Sequence, residues 1–468
     1  MAEGAVRGRR RRGGPGRTVS AAFLALLLGL PSCAPERPRN AVLIVLDTLR
    51  ADRLSAYGNP RATSPALDAL AQRGVLFERV VSNAPWTLPA MTALLTSEYP
   101  SGRSYRDGLQ RSLVEKLREA GFATVAFTEG GFVSRRFGFE QGFELFREHD
   151  AAVRVKDPGA AIKGIETTFA WAKEWLDRHG RERPFFLMLH TYETHVPYRR
   201  RTWVRDLEPG RLGSTYEVDF ALFVSGNQTT FDDAELAYLR ALYDGGVSEA
   251  DRQVGELLAK LAELGLARET LVAVTSDHGE DLGDRIPMRP GNHGHTLYDE
   301  QLLVPLILHD PTLRHSGKRI AAQVRLVDVL VTFCDRLGLP PEKDRHGRSL
   351  VPLMTGAESE DRLAFLEVPP TALLRHEPRS GIRSGRFKLI ESPGAGGRPQ
   401  LEVYDLAADP AEHSNLAAAD PERARALAWE LEELRARLAA LGPARYRPRH
   451  GAQDPAQEER LRSLGYLE

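Results

Sequence analysis

Cysteine is nearly missing from this sequence. Cys33 and Cys334 are the two in 468 residues. Cys33 lies where an exported chain is processed, so a structural disulfide between them is not expected. A fold stapled by bridges is thereby excluded, and the chain must rest on its core. A surplus of one charge is missing too. Sixty-three Lys and Arg face 64 Asp and Glu, for a formal net charge of −1. That removes the global basic field through which a nucleic-acid partner would be held. A long apolar run is also absent: "VSAAFLALLLGL" near the N-terminus is about a dozen residues, where a comfortable membrane span takes about 20.

What is present begins with export. The basic "RGRRRRGGPGR" precedes that apolar run, and "LPSC", Leu30 to Cys33, follows it. This is the order of a secretory signal, and "LPSC" is similar to a bacterial lipobox. Residues 1–32 therefore read as a signal peptide, with Cys33 lipidated and residues 33–39 as a linker. The mature chain is expected outside the cytoplasm, as a periplasmic or outer-membrane lipoprotein held at the membrane by its lipid anchor. Pro31 is unusual in such a box, so an ordinary secretory signal stays open, as does a short N-terminal membrane anchor.

The remainder is ordinary globular material, 42% hydrophobic and 27% charged, with ample apolar content for a large core. "AVLIVLD", Ala41 to Asp47, is a continuous apolar run that ends in an acid. Continuous rather than alternating hydrophobicity predicts a strand buried on both faces. Helix-then-strand pairs recur: "SPALDALAQRGV", where Ser64 can cap and Gly74 can end a helix; "SLVEKLREAG" before "FATVAFT"; "TFAWAKEWLDRHG" before "PFFLMLHTYETH"; and "EADRQVGELLAKLAELG" before "TLVAVTSDHGED". "VPLILHDP" is a further short strand. The fold class expected is α/β, a large mixed, mostly parallel sheet sandwiched between helices, over residues 40–370. From 371 to 468 the pattern turns to alternating strands with Gly and Pro turns, then to the charge-laced helix "ADPERARALAWELEELRARLAAL". That predicts a small C-terminal α+β subdomain with a terminal helix. Residues 101–107 and 199–230 read as long loops that could rim a site. Arg199–Arg201 within the second reads as a solvated cluster, with an anion-facing rim as the other reading.

Ligands in open α/β sheets bind beyond the carboxyl ends of strands. Three predicted strands end in suitable polar residues: Asp47-Thr48; "HTYETHVPY" with His190, Glu193 and His195; and "TSDHGED" with Asp277, His278 and Glu280. His293 and His295 follow in "GNHGHTLYDE". Carboxylates together with imidazoles suit a divalent cation, zinc or manganese first and calcium after them. Thr87, in "PWTLPAM", sits at a helix start where its hydroxyl can cap the free amides. A hydroxyl beside a cation and a helix N-terminus could equally ionise and attack a tetrahedral oxyanion ester.

The stretch from Asn40 to Pro100, with "VAVTSDHGEDLGD", "HGHTLYDEQLLVPLIL" and "FKLIESP…LEVYDLAADPAEHSNL", resembles the sulfatase family of the alkaline phosphatase superfamily, motif by motif and in the same order. The resemblance implies that Asp47, Asp277 and His278 hold a metal, with Thr87 as nucleophile and fourth ligand. It also implies catalytic roles for His195 and for His293 or His295. A second ion could use Glu193, His195, His293 and His295, so the resemblance leaves one or two ions open. The chain departs from the family where it matters most. The nucleophile position holds Thr87 rather than a Cys or Ser that is oxidised to formylglycine, and Ala90 and Met91 replace the Ser and Arg that follow. Ser97 and Glu193 stand where Gly and Asp are commoner. A threonine cannot become formylglycine, so its ester lacks the second hydroxyl that expels sulfate by elimination. The resemblance therefore implies phosphate mono- or diester hydrolysis of a small-molecule, glycan or lipid ester. Sulfate-ester hydrolysis, phospho-head-group transfer and binding without turnover are the alternatives. Oligomeric state is not legible.

Overall fold

The computed structural model describes residues 37–100, 112–149, 164–200, 202–210, 231–285, 293–313, 317–343, 345–370 and 377–440, besides Met1. The signal peptide after Met1, Cys33, the loop at 101–107, residues 211–230 and the chain after 440 lie outside the described residues. Among those described, no helix is long and apolar enough to cross a membrane.

Continuous apolar runs form the centre of the fold because both sheet faces are covered. β1 (Asn40–Leu46), β3 (Ala123–Thr128), β5 (Phe185–Thr191) and β6 (Thr270–Thr275) are buried at every position. With β2 (Val75–Val81), β4 (Leu145–Glu148), β7 (Leu303–His309) and β8 (Lys318–Arg325) they make one sheet of order β4-β3-β5-β1-β6-β7-β2-β8. β7 alone runs antiparallel to its neighbours, β6 and β2. The expected mostly parallel sheet is thus the observed one.

Helices cover both faces. α1 (Pro65–Arg73), α4 (Gly164–His179) and α5 (Asp233–Glu263) bury one apolar cluster against Val42, Ile44 and Leu187. α2 (Thr87–Thr96), α3 (Leu113–Glu119), α7 (Val329–Arg336) and α8 (Val351–Thr355) bury another against Leu43, Met188 and Ala273. α6 (Asp299–Leu302) is a single turn before β7. A second, antiparallel sheet of order β12-β11-β10-β9 joins β9 (Ala364–Val368), β10 (Arg379–Arg383), β11 (Phe387–Ser392) and β12 (Gln400–Asp405). α9 (Pro421–Ala440) packs Ala424, Leu427 and Leu431 on it.

Two local expectations are corrected. Ser64 precedes α1, but its hydroxyl bonds Ser55 and Asp68 instead of capping. The free amides of Ala66 and Leu67 are taken by Asp251 of α5, at 3.0 and 2.8 Å, which ties the two helices together. Arg200 is not a solvated charge: it bonds Glu193 at 2.6 Å and Glu166 at 2.8 Å.

The 31-residue α5 is opened by a capping box, Asp232 with Glu235. Gly245 and Gly246 lie in its interior, where glycine costs about 1 kcal/mol relative to alanine. A Cβ on Gly245 would stand 2.3 Å from the Arg200 carbonyl oxygen, and one on Gly246 2.8 Å from that of Glu193. The pair lets the helix touch the backbone that follows β5. Gly245→Ala should therefore destabilise the chain by about 1–3 kcal/mol despite the better helix propensity, a loss readable by denaturant unfolding. A gain in stability would contradict the close approach.

A candidate metal-centred active site

β1 lies between β5 and β6 and parallel to both, so three carboxyl ends sit side by side. Asp47 follows β1, Thr191 closes β5, and Asp277 and His278 follow β6. β2 is antiparallel to β7, as β6 is, so it shares the direction of β1 and leads on the same side to Trp86 and α2. The turn after Asp47 is held from several directions. Thr48 has φ 61°, a left-handed backbone rarely taken by a β-branched residue. Its amide donates to Asp277 Oδ1 at 3.3 Å, and its carbonyl accepts from the Tyr243 hydroxyl of α5 at 2.8 Å. That hydroxyl in turn accepts the Arg50 amide at 2.9 Å. Such strain persists only where surrounding contacts impose it, and it clusters at functional sites.

Asp47, Asp277 and His278 present ligand atoms that all lie within 4.8 Å of one another, and all three are buried. Asp47 Oδ1 and Asp277 Oδ2 have no hydrogen-bond partner. Burial first, and the Asp277 carboxylate second, push the Asp47 carboxyl well above its ordinary value. Two facing buried carboxylates with idle oxygens are costly unless a cation lies between them. His278 Nδ1 donates to the Gly279 carbonyl at 2.8 Å, which leaves the Nε2 lone pair free for a ligand's role. The donor set fits a divalent ion.

Thr87 completes the group. Its Oγ1 lies 3.2 Å from Asp47 Oδ2 and 3.3 Å from His278 Nε2. It is not the cap of its helix: Trp86 occupies that position in extended backbone, and Thr87 is the first helical residue. The hydroxyl is turned toward the strand ends instead of the amides.

Two of the other expected residues, His195 and His293, stand beside this group. His293 Nδ1 faces Glu280 Oε1 at 2.8 Å, and its ring centroid lies 4.6 Å from that of His278 and 4.9 Å from that of His195. Burial, and then His293, push His195 down to about 3, so it is neutral at pH 7. Burial pushes Glu280 up to about 7. Of the set expected for a second ion, His195 and His293 are neighbours. Glu193 is held by Arg200, and His295 is half-buried. Among the described residues, Asp47, Asp277 and His278 are the group suited to a metal. His190, named among the strand-end residues but given no role, joins them: its Nε2 lies 3.2 Å from Asp47 Oδ2.

Residues 39–339 match the family model "Sulfatase", more than half of the chain. The chain belongs to the sulfatase family. A second model, "N-sulphoglucosamine sulphohydrolase, C-terminal", matches residues 292–439. Arylsulfatase K of Xenopus laevis is 23% identical, over 86% of this chain and 84% of that protein. The multifunctional alkaline phosphatase superfamily protein PehA of Trinickia caryophylli is 26% identical, over 84% and 95%. Among solved structures, the phosphonate monoester hydrolase of Agrobacterium radiobacter superposes with a TM-score of 0.69 at 24% identity, over 89% of this chain and all of that one. A protein solved with its substrate D-glucosamine-2-N,6-O-disulfate gives 0.67 at 19%, over 87% and 99%. At those identities the structures share the fold. This chain is a sulfatase-family hydrolase.

Within the sulfatase frame the departures acquire physical meaning. Ser97 ends α2 with φ 57°, the left-handed cap that glycine usually takes, and its hydroxyl donates to the Val327 carbonyl at 2.7 Å. It lies at the opposite end of a ten-residue helix from Thr87, about 15 Å away, and touches no site group. Ala90 and Met91 are wholly buried among Trp86, Leu88 and Leu94. They make that side of Thr87 apolar.

Proposed function

We propose that this chain cleaves phosphate or phosphonate esters through Thr87, on a divalent ion held by Asp47, Asp277 and His278. The observation that carries the reading is the Thr87 hydroxyl, 3.2 Å from one acidic group and 3.3 Å from the imidazole of the same metal-capable set. A zinc or manganese ion bound there would act as a Lewis acid, lowering the proton affinity of that hydroxyl and screening charge that develops in the transition state. Thr87 Oγ1, its proton given up to solvent, attacks phosphorus in line as the ester oxygen departs, giving a phosphothreonine and an alkoxide. His293 supplies the proton that the alkoxide needs; His195, neutral at pH 7, does not. Water then attacks phosphorus, the threonine leaves with a proton, and phosphate or phosphonate is released. The positive end of α2 favours the anion throughout.

Threonine supports phosphorus over sulfur because the formylglycine exit is closed to it. The phosphonate monoester hydrolase and the multifunctional superfamily member among its relatives support the same choice. Sulfate-ester hydrolysis is the second reading, favoured by the arylsulfatase relatives. Glycan or lipid esters are proposed as substrates, and the exported, Cys33-anchored state is proposed from residues 1–33 alone.

Comparing kcat/KM for an aryl phosphate monoester, a diester, a phosphonate monoester and an aryl sulfate on the metal-loaded mature chain decides between them. Phosphorus esters should lead by about tenfold or more, a difference of about 1.4 kcal/mol in transition-state binding. A higher value for the sulfate would overturn the choice. No bound metal and no turnover would leave a binding protein.

A further inference from the structure

α6 is one turn long, yet both halves of the site hang on it. The Gly279 amide donates to the Gln301 carbonyl at 2.8 Å and the Glu280 amide to that of Glu300 at 3.1 Å. A Cβ on Gly279 would stand 2.2 Å from the Glu300 oxygen, so the turn after Asp277-His278 lies directly on α6. The Gln301 side chain accepts the Gly294 amide at 3.2 Å, next to His293. Whatever fixes α6 therefore fixes the backbone beside His278 and beside His293 together.

The second sheet does the fixing. Asp299, the first residue of α6, accepts from Lys388 Nζ of β11 at 2.6 Å and from Arg383 Nη2 of β10 at 2.7 Å. Glu412 completes the cluster: one oxygen bonds Lys388 at 2.7 Å, and the other accepts the Asp299 amide at 2.7 Å. Lys388 is wholly buried, and Glu412 and Arg383 nearly so. Glu412 also has φ 56°, strained backbone that Arg285 holds by donating to its carbonyl at 2.7 Å while bonding Glu300 at 3.0 Å. Two cations and two anions taken out of water give little net stability over apolar packing, and their best-attested use is to set register. Here the register is that of α6.

We propose that Lys388 is a positioning residue for the active site, acting through Asp299 and Glu412 on α6 and so on the His278 turn and the His293 segment. The word active rests on the function proposed above; the mechanical coupling does not. It makes the C-terminal sheet part of the catalytic apparatus in every turnover, without contact with substrate.

Amide hydrogen exchange on the full chain, with and without added zinc or manganese chloride, reads the coupling directly. Lys388→Met and Glu412→Gln are compared with Arg435→Met, which breaks the pair, 2.9 Å long, between Arg435 of α9 and Glu391 of β11. Glu412→Gln keeps the shape and one acceptor for the Asp299 amide, so it carries the test should Lys388→Met not fold. At temperatures where each variant is folded, exchange in 278–282 and 294–301 should quicken about tenfold or more in the first two and stay near wild type in the third. kcat should fall about 10- to 100-fold with KM nearly unchanged. Unchanged exchange in both segments, with only the melting temperature lowered, would overturn the proposal. Quickened exchange in a chain whose wild type turns over no ester would sustain the coupling and sink the proposed reaction instead.

Discussion

Thr87→Ala should lower turnover of the preferred phosphorus ester by about 10⁴-fold or more, the scale on which enzymes lose rate when a nucleophile is deleted. Bound metal should stay, because Asp47, Asp277 and His278 remain as ligands. Thr87→Ser should keep most activity, since it preserves the hydroxyl and removes only a methyl group from a buried helix start. Metal content and kcat measured on the same samples separate nucleophile from ligand. Near-wild-type turnover in Thr87→Ala would take the residue out of the mechanism.

The second large effect concerns stability without metal. Asp47 is a buried carboxyl whose proton affinity in the folded chain is raised, by burial and then by Asp277. The sign follows from linkage. A carboxyl whose folded pKa exceeds its unfolded value holds its proton more tightly when folded. The metal-free chain therefore loses stability as pH rises from the ordinary carboxylate range through that raised value. Asp47→Asn keeps the shape and removes the charge, so the metal-free variant should be more stable than wild type at pH 7, by about 1–3 kcal/mol. Added metal reverses the order: an ion at about 100 times its dissociation constant stabilises the wild type by about 2.7 kcal/mol and the variant hardly at all. Thermal unfolding of both proteins, with chelator and with metal, gives the four values. A metal-free Asp47→Asn no more stable than wild type would mean that the two carboxylates are not repelling each other.

Legibility in the sequence followed burial. β1, β5 and β6 are apolar at nearly every position because helices cover both faces, and that pattern could be read directly. Direction could not: β7 is equally apolar and runs the other way, since a strand buried on both faces carries no mark of its polarity. β4 and β8 close the sheet with "LFRE" and "KRIAAQVR", whose charges belong to edge strands and blur the pattern. In the site, Asp47, Asp277, His278 and Thr87 stand at strand ends or a helix start, where the strand-end rule looks. His190 was named there too but without a role, since a histidine one residue inside β5 carries no mark of which carboxylate it will meet. The Lys388–Asp299–Glu412 cluster escaped for another reason. Its members are 89 and 113 residues apart along the chain, and a lone charge says nothing about a partner so remote.

The mass of the Thr87 peptide, quenched in acid during turnover of an aryl phosphonate or phosphate ester and read beside the burst of released alcohol, tests the nucleophile most directly. One phosphoryl or phosphonyl group on Thr87, equal in amount to the burst and absent from Thr87→Ala, is the expected result. A full burst with Thr87 unmodified would contradict it.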